Sequence, residues 1–182
     1  TTYPDRFGIR GGVISAVDLI QGIGRLAGLE VIKVPGATGL MDTNYEGKAR
    51  AALDVLHQHP FVLVHVESTD EMGHAGDAVR KTQAIQDFDR RMLKVLVEGL
   101  RERGEEFRLL LLPDHPTPIA LRTHVNEPVP FLLFDSRSAK PAGSDGYSEW
   151  GVRNRTQAVV TGHRLIEILF QRMELADEMK IQ

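Results

Sequence analysis

Apolar runs and apolar stripes at helical spacing alternate along this chain. Gly12 to Val17 reads as a short strand, and Asp18 then caps a helix through about Ala27. Gly28 closes that helix in the manner of a residue with positive φ. Glu30 to Val34 is a second strand, followed by the loop Pro35 to Gly39. Asn44 starts a helix to about His57, with Ala49, Ala52, Leu53 and Leu56 on one stripe. Phe61 to Glu67 is a strongly apolar strand. Beyond a loop around Asp70, a long helix is expected from about Asp77 to Arg103, with Ile85, Phe88, Met92 and Leu96 on its buried side and Gly104 after it. Phe107 to Leu112 and Val129 to Phe134 read as further strands. Asp135 to Tyr147 is a polar loop, and His163 to about Glu174 a last amphipathic helix.

Strands separated by helices predict an α/β fold: right-handed βαβ units and a mostly parallel sheet with helices on both faces. The near-continuous runs Phe61–Val66 and Leu109–Leu112 suit strands covered on both sides. A length of 182 residues fits one domain with a substantial core. The net charge of -3 provides no basic stripe for nucleic acid and no polybasic patch for anionic lipid. Cysteine is absent, which removes disulfide and thiolate chemistry and suits a reducing cytoplasm. No apolar run reaches the ~18 residues that a membrane-spanning helix needs, and no signal peptide is visible. The chain opens Thr-Thr-Tyr-Pro without Met, as a processed product or a fragment would. Gly22-x-Gly24 lacks the third glycine of a dinucleotide fingerprint and lies within a helix, so nicotinamide binding is not expected. Glu98 and the run Arg101 to Glu106 read as a solvated helix end.

In parallel sheets of this kind ligands bind beyond the carboxyl ends of the strands. Asp70 and His74 follow one strand there, and Asp114 and His115 follow another, with His124 just beyond in Arg122-Thr123-His124. Carboxylates and imidazoles gathered in this way hold divalent metal. The Gly73 between Asp70 and His74 favours a loop leading into a helix over a single helical face. Asp114 and His115 are adjacent, so a turn helped by Pro113 and Pro116 must redirect one of them. The alternative is that the aspartates cap loops and the histidines are surface polar groups. His57, His59 and His163 read as solvated or helix-terminal, and His65 as a satisfied histidine within a strand. Five ligands exceed one tetrahedral ion and fall short of two closed sites. Oxygen mixed with imidazole suits Mn, Zn, Mg or Co. No nucleophile is evident: Ser68 lies nearest to a ligand, and nothing marks it as activated. Arg25 offers a fork that fits a carboxylate or phosphate, against the alternative of a structural arginine.

Four segments carry a family resemblance: AVDLIQGIGRLAGLEVIKVPGATG (16–39), DTNYEGKA (42–49), FVLVHVESTDEMGHAGD (61–77) and LLPDHPTPIALRTHVNEPVPFLL (111–133). Together they resemble the cofactor-independent phosphoglycerate mutases of archaeal type, within the alkaline phosphatase-like metalloenzymes. The resemblance implies interconversion of 3- and 2-phosphoglycerate through a phosphoserine, with two divalent ions in the cytoplasm. It implies that Asp70, His74 and His124 hold one ion, and that Asp114 and His115 supply two ligands of the other. The family's nucleophilic serine and a further aspartate come from an N-terminal segment without counterpart here. By this resemblance the chain looks like the C-terminal half of the enzyme and is expected to be inactive alone. The partner it implies is phosphoglycerate or a similar small phosphorylated substrate; self-association into a homo-oligomer is left open. Phosphopentomutases, nucleotide pyrophosphatases, sulfatases, phosphatases and a homoserine kinase-like subgroup share the metal frame. A non-catalytic metal-binding domain is the alternative from another class.

Overall fold

A computed structural model describes residues 1–138, 146–155 and 159–171. The chain groups into two units, residues 1–105 with 117–123, and residues 106–116 with 124–182.

The first unit is built on three parallel strands, β1 (Gly11–Ile14), β2 (Glu30–Ile32) and β3 (Phe61–Val64), in the order β2-β1-β3. Gly12 pairs with Glu30 and Gly11 with Phe61, so β1 is central and all four of its residues are buried. A short helix absent from the expectations, α1 (Tyr3–Phe7), precedes β1. It starts with a reciprocal capping box between Thr2 and Asp5. Helix α2 (Asp18–Leu26) crosses from β1 to β2. Its N-cap is Val17 rather than Asp18, because the Ser15 hydroxyl accepts from the Val17 N–H and turns the chain one residue earlier. Asp18 instead lies in the first turn, where its charge complements the helix dipole. Gly28 has φ +79°, the left-handed geometry expected at the helix end.

Helix α3 (Tyr45–Gln58) is capped by Asn44, whose side chain accepts from the Gly47 N–H. It buries Tyr45, Lys48, Ala49, Ala52, Leu53 and Val55. After β3 the chain forms helix α4 (Ser68–Ala75) where a loop was expected. The long downstream helix is three pieces: α5 (Ala78–Asp87), a π-helical turn (Phe88–Leu93) and α6 (Lys94–Glu102). Met92, Leu96 and Leu100 are buried, and upstream the buried residue is Ala84, while Ile85 is exposed. The wider π turn needs an extra residue to come round, so Ala84 is in phase with Met92 and Ile85 is not.

The second unit pairs β4 (Arg108–Leu111) with β5 (Leu132–Asp135) antiparallel, Arg108 opposite Asp135. Among the described residues the parallel ladder therefore holds three of the five strands. The apolar run of β4 had suggested a parallel neighbour, but apolarity reports burial and carries no strand direction. The Arg108 guanidinium donates to the carbonyls of Ile168 and Leu169 at 2.6 and 2.9 Å, binding the end of a short C-terminal helix. Arg137 and Arg108 hold the Asp135 carboxyl well below the usual carboxylate range, chiefly through the Arg137 hydrogen bonds. A helix over Glu149–Arg155 (α7) was not expected from the sequence. The last expected helix appears as a 3-10 turn (Gly162–Arg164) running into α8 (Leu165–Leu169). Its expected continuation to Glu174, and residues 139–145 of the polar loop, lie outside the described residues. Among the described residues no helix is long and apolar enough to cross a membrane.

Candidate metal centre

Helix α4 leaves the carboxyl end of β3 and carries Asp70 and His74 one turn apart, on one helical face. This corrects the expectation of a loop. The glycine that argued against a helix serves a close approach instead. A Cβ on Gly73 would stand 2.5 Å from the Thr117 carbonyl oxygen and 2.8 Å from Lys81 Nζ. Only a bare α-carbon lets the 117–123 segment lie against α4. Asp70 Oδ2 and His74 Nε2 are 3.2 Å apart. The Thr117 hydroxyl, itself buried, donates to Asp70 Oδ1 in a short hydrogen bond. His74 Nδ1 lies 3.0 Å from the Arg122 carbonyl oxygen. A carbonyl only accepts, so Nδ1 carries a proton, and Nε2 is the ring nitrogen turned toward Asp70. Each side chain thus has one polar atom engaged by an orienting partner and a second at the shared position, the arrangement typical of metal-ligating carboxylates and imidazoles.

The floor beneath α4 is buried and hydrogen-bonded. The Tyr45 phenol and the Ser68 hydroxyl meet at 2.7 Å, both residues 1% exposed or less. Lys48, equally buried, donates to the His65 carbonyl at 3.2 Å. Burial pushes the Lys48 ammonium below its ordinary pKa, opposed by the nearby Glu67 charge. His65 Nδ1 pairs with the Ser15 hydroxyl at 3.1 Å, a satisfied position beside the site. Ser68 is sealed against Tyr45, and Ser15 is hydrogen-bonded to both His65 and the Val17 N–H.

In the second unit Asp114, His115 and His124 form another group. The His115 N–H donates to Asp114 Oδ1 at 3.1 Å, and His115 Nε2 approaches Asp114 Oδ2 to 3.3 Å. The chain bends at Asp114 and His115, which brings the two adjacent side chains together. The Val125 N–H bonds the Pro116 carbonyl at 3.1 Å, folding the proline-rich loop back. The rings of His115 and His124 then lie 3.6 Å apart, tilted by 32°.

Arg25 is not brought to the Asp70–His74 pair. It is exposed in the last turn of α2, where its charge suits the helix C-terminus. Because α2 returns from the carboxyl end of β1 to the start of β2, that turn sits at the opposite edge of the sheet from Asp70. A shallow cavity of about 350 Å³ lies at that edge, lined by Gly11, Gly28, Glu30 and His59 among others. His59 pairs there with Glu30 at 3.6 Å. Sequence reasoning missed Thr117, Arg122, Tyr45 and Lys48. Only the position of Thr117 between two prolines, two residues after His115, was available as a signal.

The donors present, carboxylate oxygen and imidazole nitrogen in oriented pairs, fit a hard or borderline divalent cation. A probable 2,3-bisphosphoglycerate-independent phosphoglycerate mutase of Geobacter sulfurreducens is 48% identical over 171 residues, 94% of this chain and 43% of the relative. A 2,3-bisphosphoglycerate-independent phosphoglycerate mutase 2 of Methanothermobacter thermautotrophicus is 49% identical, over 92% of this chain and 41% of its own length. The chain thus spans about two fifths of the length of these curated relatives. A solved structure of a Pyrococcus horikoshii protein superposes with a TM-score of 0.85 at 26% identity, over 96% of this chain and 52% of that one. The α/β architecture is alkaline phosphatase-like, and the metalloenzyme superfamily model matches residues 1–171, so the chain belongs to the metalloenzyme superfamily.

Proposed function

We propose that this chain supplies metal-holding groups of a 2,3-bisphosphoglycerate-independent phosphoglycerate mutase, which exchanges phosphate between the 3- and 2-positions of glycerate. The oriented Asp70–His74 pair on α4 carries the reading, since a helical carboxylate and imidazole, each fixed by a separate partner, form half of a metal site. Asp70 and His74 offer a carboxylate oxygen and an imidazole nitrogen for one ion, to which the family resemblance adds His124. Asp114 and His115 offer two ligands for a second. The ions in this reading are drawn from Mn, Zn, Mg and Co, and the protein works in the cytoplasm. Divalent cations at these positions lower the pKa of a bound hydroxyl and stabilise charge on phosphoryl oxygens. The chain's own residues hold and orient those ions. In this reading the phosphoryl acceptor is the serine that the family resemblance assigns to a segment other than these 182 residues.

Two measurements test the proposal. The isolated chain binds divalent metal and shows no turnover with 3-phosphoglycerate. A protein of the relatives' full length that contains this sequence converts 3-phosphoglycerate to 2-phosphoglycerate, and loses that activity on Asp70→Asn. Turnover by the isolated chain, or a full-length protein that leaves phosphoglycerate untouched while acting on another phosphorylated substrate, overturns it.

A further inference from the structure

The segment from Thr117 to Thr123 touches α4 at each proposed ligand by a different means. The Thr117 hydroxyl donates to one oxygen of Asp70, and the Thr117 carbonyl is fixed in turn by Lys81 Nζ at 2.6 Å. Leu121 and Arg122 both donate their N–H groups to the Pro118 carbonyl, at 3.0 and 2.8 Å, forming a tight turn. That turn drives Arg122 to φ +56°, a left-handed conformation uncommon for a residue with a side chain. The consequence is local and specific: the Arg122 carbonyl points at His74 Nδ1. The Arg122 side chain lies against Gly76, the left-handed glycine that ends α4; a Cβ there would strike the guanidinium. The cation therefore sits at the negative end of the helix dipole. This explains an arginine at a position that favours glycine: the guanidinium anchors a backbone that the turn alone would leave strained.

We propose that Thr117 and Arg122 are positioning residues that set the metal affinity of α4. The Thr117 hydroxyl selects the Asp70 oxygen that faces the ion. The Arg122 carbonyl locks His74 in the tautomer that presents Nε2. Neither residue is itself a ligand. The inference rests on the reading that Asp70 and His74 hold an ion.

The test uses the metal-stripped chain with Mn²⁺ as the probe, and nitrogen NMR of the histidine rings, which reads whether Nδ1 carries a proton. Thr117→Val is expected to weaken Mn²⁺ binding about 10- to 100-fold, the usual effect of removing an orienting partner. Thr117→Ser restores it, and thermal unfolding of the metal-free variants stays close to that of the parent. In the metal-free parent His74 Nδ1 is expected to carry a proton. Arg122→Gly, which keeps the left-handed backbone, retains that proton. Arg122→Val, which resists positive φ, gives mixed tautomers and weaker Mn²⁺ binding. Equal Mn²⁺ affinity in Thr117→Val and the parent overturns the role of the hydroxyl. An Nε2–H tautomer for His74 in the parent overturns that of the carbonyl. A parent chain that binds no Mn²⁺ overturns the metal reading, while the tautomer measurement, made without metal, still decides the Arg122 assignment.

Discussion

The Tyr45–Ser68 hydrogen bond offers a clean double-mutant cycle, because both groups are sealed from water and the partners are 23 residues apart in sequence. Tyr45→Phe deletes one hydroxyl and leaves the other buried without this partner. Such a loss costs about 1–3 kcal/mol, more than the net worth of the bond, because a desolvated hydroxyl has no water to turn to. Ser68→Ala strands the phenol in the same way and costs a similar amount. The double variant strands neither, so it costs about as much as one single change and far less than their sum. The coupling should be about 1 kcal/mol or more, within the range seen for contacting residues. For a chain of this size each single change lowers the melting temperature by about 2–4 °C per kcal/mol. Urea unfolding of the four proteins gives the free energies. Additivity within about 0.3 kcal/mol would refute the argument, since it would mean that the two hydroxyls do not satisfy each other. A pH series supplies a second check. Burial raises the Tyr45 pKa above the ordinary phenol value of about 10. The folded state therefore resists ionisation more than the unfolded state does. The resulting stability is present below that value and lost as pH climbs through the folded pKa, and Tyr45→Phe abolishes the loss.

Three further outcomes are expected. Gly73→Ala forces the Thr117 carbonyl or the Lys81 ammonium away from α4, so it lowers Mn²⁺ affinity and costs about 1–3 kcal/mol of stability, measured by titration and urea unfolding. Lys48→Met removes a buried ammonium that binds its proton more weakly folded than unfolded; the stability difference between parent and variant should therefore grow in the parent's favour as pH rises through the alkaline range, and a flat difference would count against it. Arg91→Ala breaks a bidentate pair with Glu46 (2.7 and 3.1 Å) whose side chains are about a third and two fifths exposed, so it costs under about 1 kcal/mol at pH 7. The Arg91 hydrogen bonds lower the Glu46 pKa, so this contribution is present above the ordinary glutamate value and fades as pH falls through the depressed one, a trend that acid-range urea melts will report.

Elements whose signals are local were legible in the sequence. Asn44 caps α3 where it was expected, and Ala49, Ala52 and Leu53 of the predicted stripe are buried. Gly28 ends the α2 segment with the expected positive φ. What failed depended on distant partners. Helix α4 contains a glycine and has little intrinsic helical tendency; it is held by Tyr45 below and the 117–123 segment beside it, neither visible in a local window. The π turn has no residue signature, so the phase of Ala84 against Ile85 went unread. The pairing of β4 with β5 depends on a return path of twenty residues, 112–131, whose turns apolarity does not encode. At the site, residue types gave the pairs Asp70–His74 and Asp114–His115, while the partners of the first, Thr117 and a backbone carbonyl at Arg122, have no chemical signature in a list of letters.

The π turn at Phe88–Leu93 has an evolutionary corollary. A π turn amounts to one surplus residue inside an α-helix. Deleting a single residue there would let the helix close into regular winding, swinging everything upstream by about 100° about the axis. Ala84 would leave the interior and Ile85 would take its place. Relatives differing in length by one residue in this region should therefore exchange a small side chain for a large one at the same depth, recording an ancient insertion as a compensating swap of bulk.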